Sequence, residues 1–326
     1  MRPALLFCLA VVLSGQARAA SELSAAVKND YDHRLAAMFD WFHRHPELSY
    51  LETATAARMA RELRRVPGMT VTEKVGGTGV VGVLRNGEGP TVLIRADMDG
   101  LPIKEASGLA NASTAVQVGI DGVESPVMHA CGHDTHITAL LGTATRMASL
   151  KKDWHGTLVF VVQPAEERIA GARKMLEDGL YTRFPKPDYA LAFHVDADSP
   201  TGALIADPGI VGSSSDTIDI IVHGVGAHGA SPQQGKDPIV MGAEIVLALQ
   251  TLVSREISPL SPGVVTVGAF HSGSKHNIIS DRAVLQLTVR SDDEAVRKVL
   301  LDGIKRIAEN VGRMRSEEHT SELQSH

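Results

Sequence analysis

At 326 residues and 44% hydrophobic content the chain is long enough to bury a substantial core, which excludes disorder as its default and favours two domains over one. A net charge of -6 with interspersed signs and no basic run excludes an electrostatic nucleic-acid surface, although a small anionic substrate needs only a local positive site.

Arg2, the apolar stretch Ala4 to Leu13 and Ala17-Arg18-Ala19 form the charged, apolar and small-residue regions of a secretory signal peptide. Residues 1–19 are therefore expected to be removed and the mature protein exported, to a bacterial periplasm, with no membrane span. An ordinary apolar amino-terminal helix is the alternative. The stretch is too short to cross a bilayer, and no other run approaches the roughly 20 apolar residues that a span needs. Of the two cysteines, removal of Cys8 leaves Cys131 without a disulfide partner.

Leu23, Val27, Tyr31, Leu35, Met38, Phe39 and Phe42 recur at spacings of three and four, which predicts an amphipathic helix ended near Pro46. A second helix is expected from Glu52 to Arg65. The apolar runs 80–84, 91–96 and 157–162 read as buried strands, with a helix over 135–150 between the last two. Such alternation indicates an α/β fold with a mostly parallel sheet covered on both faces. After Asp207 the pattern becomes strand 216–223, helix 238–252, strands 264–270 and 283–290, and helix 293–310. These are five elements of a ferredoxin-like α+β sandwich whose sixth, a strand, is missing. The expected organisation is a catalytic domain over 20–206, a second domain over 207–314 with its hinge at Ala206 to Gly212, and a non-native polar tail over 315–326 that resembles a translated sequencing adapter.

Chemistry concentrates where strands end. Cys131 and His133 stand two apart in a glycine-containing turn before a helix, a spacing and donor set that suit zinc and also manganese, cobalt or nickel. A buried thiol beside a capping histidine is the other reading. Asp134 can cap that helix or support a ligand from behind, and His129 and His136 read as supporting or structural groups rather than ligands. Gln163-Pro164-Ala165-Glu166-Glu167 leaves the most hydrophobic strand at its carboxyl end, where open parallel sheets bind ligands. Adjacent side chains there point apart, so one carboxylate can hold a cation while its neighbour faces a water, the arrangement that metal-assisted hydrolysis requires. A solvated glutamate pair at a helix start is the alternative. His194 ends another apolar strand, and Asp97 and Asp99 end a fourth at a spacing that puts both on one side of the chain.

The motifs HRHPELSY (43–50), RADMDGLP (95–102), MHACGHDTH (128–136), QPAEE (163–167), FHV (193–195), GAHGASP (226–232) and HNIISDRAVLQLTVR (276–290), in this order, resemble the metal-dependent amidohydrolases that include hippurate hydrolases, N-acyl-amino-acid amidohydrolases and indoleacetyl-amino-acid hydrolases, relatives of aminoacylases and zinc carboxypeptidases. The resemblance implies a metallopeptidase-like catalytic domain with an inserted lid and dimerisation domain, working as a homodimer. It implies Cys131, His133, Glu167 and His194 as ligands of two divalent ions and Glu166 as general base. It further implies His228 at the substrate carbonyl, Asn277 and Arg290 at a substrate carboxylate, and Asp99 and Asp134 behind the ligands. The implied reaction is amide hydrolysis of an N-acyl amino acid or short peptide by a metal-activated water. Gln233 and Ser280 depart from the family's usual His and Pro, and the resemblance implies a further carboxyl-terminal part carrying one more histidine ligand. A non-catalytic binding protein is the alternative from another class. A thiol redox protein is disfavoured because Cys131 has no resolving partner.

Overall fold

A computed structural model describes residues 22–206, 208–209 and 212–315 together with the backbone of Glu322–Ser325. The expected signal segment and most of the expected tail lie outside the described residues. The chain divides at Thr201/Gly202 into two compact units.

In the first unit, residues 22–30 are helical and continue through a wider π turn, Tyr31–Leu35, into α1 (Ala36–Arg44). Only the second half of the expected apolar stripe is buried: Leu35, Met38 and Phe42 enter the core, whereas Leu23, Val27 and Tyr31 are exposed. Helix α2 (Thr53–Arg64) starts on the Glu47 carboxylate, which accepts the Ala54 and Thr55 amides at 3.1 and 2.7 Å. There follow β1 (Met69–Val75), β2 (Gly79–Asn86), β3 (Thr91–Asp97), a hairpin of β4 (Val116–Val118) and β5 (Glu124–Pro126), α3 (His133–Ser149), β6 (Gly156–Gln163), α4 (Gly171–Glu177) and β7 (Tyr189–Ala192).

The main sheet runs β1-β2-β6-β3-β7. It is mixed: β3 is parallel to β6 and to β7, while β1 with β2 and β2 with β6 are antiparallel. The antiparallel part arises because β1, which the apolar runs do not reveal, is tied to β2 by a short turn rather than a helical crossover. Strand β6 is buried along its whole length. Its side chains alternate: Leu158, Phe160 and Val162 join Met38, Phe42, Met59, Leu63, Ile137 and Leu141 of the helices on one face. Val159 and Val161 join Val81, Val83, Leu93 and Met175 on the other. The parallel register sets Asp97 opposite Gln163 and Arg95 opposite Ala192, so three strand carboxyl ends open at one edge.

The second unit contains β8 (Ser214–His223), β9 (Ala227–His228), α5 (Pro238–Thr251) with a following π turn, Leu252–Glu256, then β10 (Gly263–Ser272), β11 (Ile278–Ile279), β12 (Arg282–Ser291), α6 (Glu294–Arg315) and β13 (Glu322–Ser325). The antiparallel sheet β10-β12-β8-β13 has the ferredoxin-like order. The missing sixth strand is thereby corrected: the backbone of Glu322–Ser325 pairs with Ile221 to Ile218, because β8 otherwise ends the sheet with unpaired amides. Ile220, Leu285, Leu287, Val289, Met241, Ile245, Leu249, Leu300 and Ile304 form its core. The segment Pro238–Glu256 is, by length and composition, apolar enough to cross a membrane, which the reading of apolar runs overlooked; here Met241, Ile245, Leu249 and Leu252 pack into that core.

Candidate metal centre

Five side chains meet at the shared strand edge. Cys131, His133 and His194 each offer a donor atom within 4.8 Å of the others, and so do His133, Glu166 and Glu167. His133 thus lies between the thiol–imidazole pair and the glutamate pair. Cys131 Sγ is 3.4 Å from His194 Nε2, and His133 Nε2 is 3.9 Å from both Glu166 Oε2 and Glu167 Oε1.

Local backbone explains the convergence. Gly132 precedes α3 in a left-handed conformation (φ +79), and a Cβ there would stand 2.5 Å from Val195 Cγ2. Only glycine lets the Cys131 turn approach the chain that carries His194. Beyond β6, Ala165 is also left-handed (φ +47), turning the chain sharply into the short 3-10 turn Glu166–Arg168. Asp99 holds that turn: its Oδ1 accepts the Glu166 amide at 3.0 Å, and its Oδ2 accepts the Glu167 amide at 3.1 Å and the Ser49 hydroxyl at 2.7 Å.

The imidazole tautomers follow from their partners. His133 Nδ1 donates to the Asp99 carbonyl at 2.8 Å, and His194 Nδ1 donates to the Val195 carbonyl at 2.7 Å. With Nδ1 so anchored, each ring turns its Nε2 toward the cluster, the orientation that a metal-binding histidine takes. His136 differs. Its Nδ1 donates to Asp97 Oδ1 at 2.6 Å and its Nε2 accepts the Val195 amide at 3.1 Å, so neither nitrogen is left for a cation.

Whether a cation fits can be judged from unpartnered atoms. His133 Nε2 and Glu167 Oε1 are buried without a hydrogen-bond partner, and Asp97 Oδ2 lies 3.6 Å from the same Nε2. A lone pair facing buried carboxylate oxygens is unfavourable unless a proton or a cation lies between them. Two donors each about 2.1 Å from one ion can stand no more than about 4.2 Å apart, so both the 3.9 Å and the 3.4 Å separations admit a shared cation. The soft thiolate, two imidazoles and a carboxylate suit zinc, manganese, cobalt or nickel.

The surrounding charges shift several groups. Burial, then the negative Glu167 and Glu166 nearby, pushes the Cys131 thiol up to about 12. Burial raises the Glu167 carboxyl, against the attraction of His133. At Asp97 burial pushes upward, but the His136 hydrogen bond and the Arg95 and His133 charges outweigh it and leave the group at about 2. The Glu167 side chain is 19% exposed and that of Glu166 39%, so the more enclosed acid faces His133 and the other reaches the rim. A cleft of about 340 Å³ borders Glu167 and Arg168, with Leu48, Leu101, Ile120 and Val123 in its walls.

The remaining expected residues fall elsewhere. Asp134 lies in the first turn of α3, whose N-cap position is Gly132; its Oδ1 accepts the first-turn Thr135 amide at 2.8 Å, and its Oδ2 takes His43 Nδ1 at 2.7 Å. His43 Nε2 also reaches Glu105 at 3.3 Å. His129 is buried with neither nitrogen partnered, and burial depresses it to about 4. His228 on β9 and Asn277 are neighbours within the second unit, where Gly229 N donates to the Asn277 carbonyl at 2.8 Å. Arg290 stands toward the opposite end of β12, paired with Val264 and Ser215, and is not brought to that pair. Glu52 and Ser49 are site residues that spacing alone did not single out; a buried acid at a helix start was the available signal for Glu52.

Fold and site together define a hydrolase of the metal-binding peptidase type. Residues 93–318 match peptidase family M20/M25/M40, and the chain belongs to that family. It is 38% identical over 270 residues to a hippurate hydrolase of Campylobacter jejuni, covering 82% of this chain and 67% of that relative. A solved protein of methicillin-resistant Staphylococcus aureus superposes with a TM-score of 0.83 at 34% identity, covering 94% of this chain and 78% of the other. The Bacillus subtilis YXEP protein, described as a dinuclear metal-binding peptidase of the same family, gives 0.72 at 29% identity, covering 91% and 74%. The chain spans about two thirds of the length of its curated relatives (67% and 66%).

Proposed function

We propose that the protein hydrolyses the amide bond of an N-acyl amino acid or short peptide, with Cys131, His133, Glu167 and His194 holding two divalent ions and Glu166 acting as general base. The observation that carries this reading is the pair of buried, unpartnered ligand atoms, His133 Nε2 and Glu167 Oε1, beside a second carboxylate that reaches the rim. The relationship to a hippurate hydrolase supports an N-acyl amino acid as substrate.

Bound cations would supply Lewis acidity toward the substrate carbonyl and lower the pKa of a water. Glu166 takes the proton of the attacking water and returns it to the leaving amine nitrogen, so one carboxylate serves as base and then as acid. Asp99 fixes the turn from which Glu166 and Glu167 diverge. The Asp99 and Val195 carbonyls hold the two imidazoles in register. In the same reading His228 polarises the carbonyl, Asn277 receives the substrate carboxylate, and the protein works as an exported, periplasmic homodimer.

Incubating the protein with N-benzoylglycine and related acylated amino acids, with manganese or zinc and then with chelator, tests the reading. Amine release that chelator abolishes and added metal restores is expected. No release from any acylated amino acid under metal-replete conditions would overturn it, and stoichiometric binding without turnover would favour the non-catalytic alternative.

A further inference from the structure

The bend that carries Glu166 and Glu167 is gripped from behind by a carboxylate outside the reaction. Glu52, wholly buried at the entry to α2, accepts the Ala165 amide at 2.8 Å and the Tyr50 amide at 3.0 Å on Oε1, and the Thr78 hydroxyl at 2.5 Å on Oε2. With Asp99 on the Glu166 and Glu167 amides, three consecutive backbone N–H groups end on two buried acids supplied by two different elements. The residue at the centre of this grip, Ala165, has a left-handed backbone, which a side chain with a Cβ keeps only where its surroundings enforce it. Ile169 is left-handed as well, and the Gly171 amide returns to the Ala165 carbonyl at 3.2 Å, so the turn is closed on both sides.

We propose that Glu52 is a positioning residue whose hydrogen bond to the Ala165 amide sets the direction in which Glu166 leaves the sheet. This rests on the role of Glu166 in the proposed reaction. The competing possibility is that Glu52 merely pins α2 to the β1–β2 turn through Thr78. The two separate cleanly, because Thr78→Val removes the hydroxyl contact and leaves the Ala165 contact in place.

The test compares E52D, E52Q and T78V in the full chain, by amide hydrogen exchange over residues 163–170 of the metal-free protein and by kinetics on N-benzoylglycine with manganese. In E52D the carboxylate is one methylene short of Ala165; exchange should accelerate about tenfold or more, and kcat should fall about tenfold to a hundredfold with KM within about twofold. In E52Q the amide oxygen still accepts from Ala165 and Tyr50 while its NH2 donates to Thr78 Oγ1, so both readouts should stay within about threefold of wild type. T78V should change neither. Unchanged exchange in E52D, or equal acceleration in T78V, overturns the proposal. Should E52D not fold, the single Ala165 amide in wild type decides: bonded to Glu52 it is protected about a hundredfold or more over open chain, and an unprotected amide overturns the proposal. Wild-type protein inactive on every acylated amino acid would instead defeat the proposed function, leaving the exchange measurements to judge Glu52.

Discussion

Replacing Asp99 with asparagine changes little in shape and much in hydrogen bonding. The native carboxylate is 1% exposed and receives three donors: the Glu166 amide, the Glu167 amide and the Ser49 hydroxyl. Burial pushes its carboxyl upward, but the contacts from His133, Ser49 and the Glu167 amide outweigh that and hold it below the usual carboxylate range. Asparagine has one acceptor oxygen, so one of the two backbone amides must face an NH2 group. A buried donor left unpaired costs about 1–3 kcal/mol, and weakening the remaining charge-assisted bonds brings the expected loss to about 3 kcal/mol. At about 2–4 °C per kcal/mol for a unit of this size, the midpoint should fall by about 6–12 °C. Both tryptophans, Trp41 and Trp154, lie in the first unit, so their fluorescence follows its unfolding alone. The same variant should lose about tenfold to a hundredfold in kcat through misaimed glutamates. A midpoint within about 2 °C of wild type with undiminished kcat would refute the role given to Asp99.

Glu166→Gln should abolish most turnover, lowering kcat about 10²- to 10⁴-fold, while metal content by elemental analysis is retained; substantial residual activity would contradict Glu166 as the base. Glu167→Ala and Cys131→Ala should each lower metal content in the same measurement, and full occupancy in either variant would remove that residue from the ligand set.

How much of this was legible in the sequence depends on what fixed each feature. Strands β2, β3 and β6 announced themselves because burial on both faces demands continuous apolar runs, and their carboxyl ends located Glu166, Glu167 and Asp99. Strand β1, Met69–Val75, stayed hidden because it is a half-exposed edge whose mixed composition follows from pairing on one side only. The β4–β5 hairpin, only three residues in each strand, is set by its turn rather than by periodicity. At the site, ligand identities could be expected from donor chemistry and the resemblance, but their supports could not. The grip of Glu52 on Ala165 joins residues 113 apart in sequence and shows in no local pattern. The helix-start role of Asp134 was legible from its place in the first turn, where its Oδ1 accepts the Thr135 amide, whereas its bond to His43, 91 residues away, shows in no local pattern.

The charge state of the metal-free cluster makes cation binding a proton exchange, and the sign can be worked out. With its thiol pushed up to about 12, Cys131 carries its proton throughout the neutral range, and a cation binding the thiolate must displace it. His133 is raised as well: burial alone would lower it, but contact with Asp99 and the charge of Asp97 favour the imidazolium, so below its raised value a proton occupies the position that a cation would take. Affinity should therefore rise with pH, by about one logarithmic unit per pH unit from Cys131 and more steeply where His133 still holds its proton. Calorimetric titration of chelated protein with manganese in two buffers of different ionisation heat counts the protons released, expected at about one to two at neutral pH. Cys131→Ala should remove about one of them. Metal binding with no proton release, unaltered by that substitution, would show that the thiol is not a ligand and that the cation is held by the glutamates and imidazoles alone.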